Sequence, residues 1–177
     1  VAATNDDGVI PHSIEVLDLS GNVMPGSPKI HAVKPEYANL ASEYTGGVQG
    51  RYVFAGFADT PDQVPDTVAG NICLVERGST AEAADNGTGL FANKAAQCEA
   101  KGAIGTVVFN NVPGEIGGVL APSANVLMTI SQENGQYLMN LGFAGNGLSN
   151  HSIRLNGKDA DLFKGMVTGF SSRGPVA

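Results

Sequence analysis

Hydrolysis by an activated serine needs an Asp, a His and a Ser brought together, with a side-chain amide helping to hold the oxyanion. The chain offers the pair Ser171-Ser172 and three histidines, His12, His31 and His151, but none stands in recognisable catalytic surroundings. The histidines have no carboxylate or cysteine at ligand spacing and read as surface or turn residues. Asp6-Asp7 with Asn5, and Asp159-Ala-Asp161, cluster oxygens of the kind calcium prefers. Neither lies in a loop of alternating ligands closed by a glutamate, so no metal site is expected. Gly114 to Gly118 lacks the GxxxxGK[ST] pattern of a phosphate cradle and reads as a mobile loop. No cofactor is expected. Asn86-Gly-Thr88 and Asn150-His-Ser152 fit the glycosylation sequon and equally mark plain turns.

Two cysteines, Cys73 and Cys98, are too few for a disulfide scaffold and lack the spacing of a zinc knuckle or a CxxC pair. They are either two buried thiols or one bridge. The bridge is favoured, because Cys73 falls in an apolar strand and Cys98 in the helix that should pack on it. Closing that loop would stabilise by roughly 3 kcal/mol on the chain-entropy model.

These residues need elements to hold them. A chain of 177 residues buries a sizeable core and most often makes one domain. Ten basic against 17 acidic residues give a formal charge of -7 and no basic stripe, which argues against nucleic acid as a partner. With 15% charged residues, 42% hydrophobic and 24 glycines, the chain reads as a turn-rich, mostly β globular domain and suits an extracellular setting. No apolar run approaches the 18 residues of a membrane span, and Val1 to Asp7 has no signal-peptide character. A soluble piece cut from a longer protein is expected, with neither end a natural terminus.

His12 to Leu19 alternates apolar and polar residues and predicts a half-buried strand running into a turn at Ser20-Gly-Asn22. From Pro25 to Pro65 short apolar segments, Lys29 to Val33 and Arg51 to Phe54, predict loops and brief strands, with a helical turn at Pro35 to Ser42 the sole exception. Ile72 to Val75 is a buried strand. Leu90, Phe91, Lys94, Ala95, Cys98 and Lys101 fall at helical spacing ahead of Gly102, so a helix of about three turns follows. Ala103 to Phe109 is a second buried strand, making a right-handed crossover unit with parallel pairing. Val126 to Ile130 is a third strand, and Ser131 caps a helix from Gln132 to about Leu141. His151 to Leu155 and Met166 to Phe170 predict two closing strands joined at the Asn156-Gly157 turn.

The run Val68-Ala-Gly-Asn-Ile-Cys-Leu-Val-Glu-Arg-Gly78, the helix bearing Lys94 and Ala95, and Lys101-Gly-Ala-Ile-Gly-Thr-Val-Val-Phe-Asn-Asn111 resemble the protease-associated (PA) domain. The Ala121-Pro, Val126 to Ile130, Gly135 and Leu138 stretch resembles that domain's ending, so the likeness covers about 29–165. Gly169-Phe-Ser-Ser-Arg-Gly-Pro175 is similar to the segment that follows such a domain inserted in subtilisin-like serine proteases, and Val1-Ala-Ala-Thr4 to the strand preceding it. The sequence departs from many members in having Ser79 after the Arg-Gly and a longer Ala/Asp/Gly loop.

The resemblance implies an α/β fold of the β/β/α swivelling type, a small open barrel or sandwich flanked by helices. It divides the chain into a flanking part at 1–27, the PA domain at 28–165 and the start of the next subtilase segment at 166–177. In that family Ser171 and Ser172 belong to a strand and turn, so the chain is expected to be no enzyme. The implied role is recruiting or gating protein substrates for a secreted, extracellular protease, as a monomer whose partners are protein or peptide substrates and the parent catalytic domain. Alternatives are the lumenal cargo-binding domain of a sorting receptor, or a steric lid or spacer with no binding of its own. Contact residues are placed on the two loops leaving the strand ends of the crossover unit, where α/β units tend to bind ligands: Thr80 and Asn86 on one, and Asn110, Asn111 and Glu115 on the other. Arg77 is read as a structural residue at a strand end.

Overall fold

The computed structural model describes residues 12–39, 47–80, 89–116 and 120–158. Its strands are β1 (His12–Leu17), β2 (Ile30–Ala32), β3 (Glu36–Asn39), β4 (Val48–Phe54), β5 (Ile72–Glu76), β6 (Gly105–Phe109), β7 (Leu120–Ile130) and β8 (Leu148–Lys158). Two α-helices, α1 (Phe91–Ala100) and α2 (Gln132–Asn140), follow β5 and β7. The strands form one mixed sheet in the order β2-β1-β8-β4-β5-β6-β7-β3. Reciprocal bonds between Val33 and Thr129, at 2.9 and 2.8 Å, tie the chain just after β2 back to β7, so the sheet nearly closes into a barrel.

The predicted crossover unit is present, with β5 pairing β6 in parallel register from Ile72↔Gly105 to Glu76↔Phe109 and α1 between them. β4 and β7 extend the parallel run on either side. Of these strands, β5 and β6 read as nearly continuous apolar runs because both faces are covered. Their period of two divides the side chains. Ile72, Leu74, Val107, Phe109, Val126 and Met128 enter one cluster with Ile14, Tyr52 and Ile153, whereas Cys73, Val75, Val108 and Leu127 meet Phe91, Ala95 and Cys98 of α1 in a second.

Helix α2 packs against the first cluster through Leu138. Its first turn is capped as predicted, with Ser131 Oγ accepting the Asn134 amide at 3.2 Å. Near its C-terminal end the Tyr52 hydroxyl donates to the Leu138 carbonyl at 2.6 Å, and burial pushes the Tyr52 pKa up. The helix approaches the sheet closely at Gly135, where a Cβ would stand 2.2 Å from Cγ of Phe109. Gly135→Ala is therefore expected to lose stability even though alanine is the better helix former by about 1 kcal/mol. Overpacking of this kind typically costs about 1–3 kcal/mol. Urea unfolding followed by circular dichroism checks this, and an unchanged or raised midpoint would show that α2 shifts without penalty.

Two local expectations are corrected. Asn156-Gly157 is no turn: β8 runs through it, carrying Leu155 opposite Ile14 and Val48 and Lys158 opposite His12. The strand's two neighbours supply a ladder that outweighs a local turn preference. The segment expected to make a helical turn at Pro35 to Ser42 is extended over Glu36–Asn39, where it pairs with β7. The predicted strand Met166 to Phe170 lies outside the described residues. β1, from the part assigned to 1–27, pairs with both β2 and β8.

Candidate functional site

Because β4, β5, β6 and β7 are parallel, their carboxyl ends lie on one edge, and the loops that leave them form a common rim. Backbone bonds continue the pairing outward, with Glu76 donating to Gly56, Arg77 to Phe109 and Asn110 to Ile130 at 2.9, 2.9 and 3.1 Å. Thr80, Asn110, Asn111 and Glu115 all fall on these loops, and Asn86 lies outside the described residues.

The four have different surroundings. Asn110 is only 2% exposed, and its amide is committed to the rim itself. Its Nδ2 donates to the Gly114 and Glu115 carbonyls at 3.0 and 3.3 Å, while Oδ1 accepts from Arg77 Nη1 at 3.0 Å and the Asn111 amide at 3.1 Å. Asn110 thus shapes the loop rather than presenting atoms to a partner, and Arg77 acts as the strand-end brace expected of it. Asn111, Thr80 and Glu115 are exposed. Beside Asn111, Val112 is 51% exposed, an apolar tip on an otherwise polar loop.

Gly114, expected in a mobile stretch, is held on both sides. Its amide donates to the Glu133 carboxylate of α2 at 3.2 Å, and its carbonyl accepts from the Gln132 amide at 3.3 Å. Glu115 pairs with His31, so this histidine does have a carboxylate neighbour, one remote in sequence. His12, expected at the surface or a turn, is buried in β1.

Beneath the rim lies an ion pair that reading the sequence did not anticipate. Lys94 of α1 and Asp59, on the loop after β4, have fully buried side chains with Nζ 3.5 Å from Oδ1. Lys94 Nζ also donates to the Phe57 carbonyl and, at 2.5 Å, to the Gly78 carbonyl, and lies 5.7 Å from the centre of the Phe57 ring. Asp59 Oδ2 accepts the Thr80 amide at 2.9 Å. Burial pulls the Lys94 pKa down, while the charges of Asp59 and Glu76 oppose that shift. The available signal was the spacing of Lys94, three residues after Phe91 and one before Ala95, squarely on the apolar stripe of α1. Nothing in the sequence marked Asp59.

Cys73 and Cys98 are joined, with Cα atoms 6.1 Å apart, fixing the last turn of α1 to the amino end of β5. Among the described residues no group of three or more His, Cys, Asp or Glu could hold a metal ion. Ser171, Ser172 and the Asn5 to Asp7 and Asp159 to Asp161 clusters lie outside the described residues. A hollow of about 400 Å³ lined by Gly47, Val48, Gln49, Ala103, Ile104 and Asn125 adjoins the amino ends of β4 and β6, at the edge opposite the rim.

Three carboxylates carry depressed pKa values: Asp18 through the Asn22 backbone and side chain, Asp66 through Lys101, and Glu133 through its own amide first and then the Gly114 amide and the Ser131 side chain. A carboxyl whose folded pKa lies below its unfolded value stabilises the fold above the unfolded pKa, and that contribution is lost as pH falls through the folded one. The urea midpoint should therefore hold from neutral pH down to the ordinary carboxylate range and decline below it. Glu133→Gln should flatten part of that decline, and a variant curve parallel to wild type would remove Glu133 from the account.

The model of the PA domain matches residues 37–142, more than half of the chain. The chain belongs to the PA domain family. This PA domain is 31% identical over 124 residues to the minor extracellular protease Vpr of Bacillus subtilis strain 168, covering 70% of the chain and 14% of that protein. Among solved structures it superposes on the zinc aminopeptidase BSAP of Bacillus subtilis with a TM-score of 0.56 at 17% identity, covering 83% of this chain and 31% of the aminopeptidase. An aminopeptidase from Aneurinibacillus sp. strain AM-1 gives 0.56 at 19%, covering 84% and 32%. At such identities the aminopeptidases show the shared fold alone. The PA domain thus spans about a seventh of its curated relative and about a third of its structural neighbours.

Proposed function

We propose that this PA domain is a non-catalytic part of a secreted, extracellular subtilisin-like serine protease, and that its rim recruits or gates protein substrates. The observation that carries the reading is the convergence of exposed Thr80, Asn111, Val112 and Glu115 at the carboxyl ends of the parallel strands, the edge where open α/β sheets tend to receive ligands. The similarity to an extracellular protease supports the parent's class, as does the resemblance of Gly169 to Pro175 to a subtilase segment. The Cys73–Cys98 bridge fits an oxidising compartment. A domain beside an active site contributes by binding long substrates remotely, so that binding energy orients them at the reacting centre. On this reading the chain is a monomer whose partners are protein or peptide substrates and the parent catalytic domain.

Co-sedimentation of the chain with insoluble collagen or gelatin, with a hydrolysis assay on the same samples, tests this. Retention without hydrolysis is expected, weakened by replacing Asn111 and Glu115 with alanine. No retention would reduce the domain to a steric lid or spacer.

A further inference from the structure

Lys94 is wholly excluded from solvent, yet an apolar side chain of similar volume would hold α1 on the sheet without the cost of desolvating an ammonium. Packing alone does not account for a lysine there. What the ammonium adds is direction, since it donates to the Phe57 and Gly78 carbonyls while Asp59 Oδ1 stands 3.5 Å away as its counter-charge. Phe57 and Asp59 belong to the loop after β4 and Gly78 to the loop after β5, so one cation ties two rim loops together. The tie extends to exposed residues. Asp59 accepts the Thr80 amide, and Gly78, at φ +120°, faces the Phe57 ring on one side and Asn111 on the other, where a Cβ would be 3.2 Å from Cε1 and 3.5 Å from Nδ2.

We infer that Lys94 is a positioning residue for the rim: it touches no partner itself, and by clamping Phe57 and Gly78 it sets where Thr80 and Asn111 stand. This rests on the reading of the rim as the substrate-facing edge. The residue acts through the loops, so its loss should loosen them while the barrel strands keep their protection.

The test uses Lys94→Met/Asp59→Asn in the 177-residue chain. This variant leaves no lone buried charge and keeps an oxygen to accept the Thr80 amide. Hydrogen exchange of amides at 56–60 and 77–80 should accelerate about tenfold or more while β5 and β6 keep wild-type rates, as for a local opening. Affinity for gelatin should fall about fivefold through the cost of re-ordering the loops. An even rise in exchange across the barrel, wild-type rates at the rim, or local loosening with unchanged affinity would each overturn the inference. If wild-type chain is not retained on gelatin, the recruitment reading fails on its own, and the exchange rates still decide whether Lys94 positions the loops.

Discussion

Lys94→Met alone should lower the free energy of unfolding by about 3–5 kcal/mol, the usual cost of removing one partner of a buried ion pair. The Asp59 side chain is fully buried and Lys94 is its cation, so the variant leaves a carboxylate without its counter-charge in a low-dielectric site. The Phe57 and Gly78 carbonyls also lose their donor. A typical small domain has only about 5–15 kcal/mol in total, so a large part of the stability is at stake. Adding Asp59→Asn should restore much of the loss, because the unpaired charge is the dominant penalty. Urea denaturation of the two single variants and the double gives the coupling directly. A Lys94→Met protein within about 1 kcal/mol of wild type would mean that Asp59 finds water or a proton on its own.

Removing the bridge with Cys73→Ala/Cys98→Ala should cost about 3 kcal/mol, because the cross-link closes a loop of 25 residues and denies the unfolded chain that much freedom. The link is fully buried and joins β5 to α1 within the second cluster, so the variant also leaves small voids whose cost adds to the entropic one. Wild type unfolded in urea with and without reductant should show a gap in midpoint for the part of this cost that is due to the cross-link, since the reduced thiols still fill the space. A gap equivalent to less than about 1 kcal/mol would show that the unfolded chain keeps β5 and α1 together without the bond.

How much of this was legible in the sequence depended on whether the determinant was local. Ile72 to Glu76, the helix around Lys94 and Cys98, and Gly105 to Phe109 were readable because a run of apolar residues, a helical spacing and a terminal glycine lie within each segment. The Ser131 cap was readable for the same reason. Asn156-Gly157 misled because the dipeptide favours a turn in isolation, whereas β8 continues through it, its register shifting there, in a ladder with β1 over a hundred residues away. Pro35 to Asn39 misled likewise, since its pairing with β7 appears only after folding. At the rim, the loops carrying Thr80, Asn110, Asn111 and Glu115 followed from the crossover pattern. The bracing of Asn110 by Arg77, the pairing of His31 with Glu115 and the burial of Asp59 did not, since each depends on a contact between distant segments.

The place of β8 has a consequence for how the chain reaches this state. Among the described strands it is the last made, yet it sits between β1 and β4, pairing with both. Until residues 148–158 leave the ribosome, β1 and β4 each present an unpaired edge, the feature most prone to wrong pairing. Contacts spanning so much of the chain also slow folding, because the closure entropy must be met before any of them forms. The strands on both sides of the gap are therefore made before the strand that fills it, and the barrel cannot close until β8 is available.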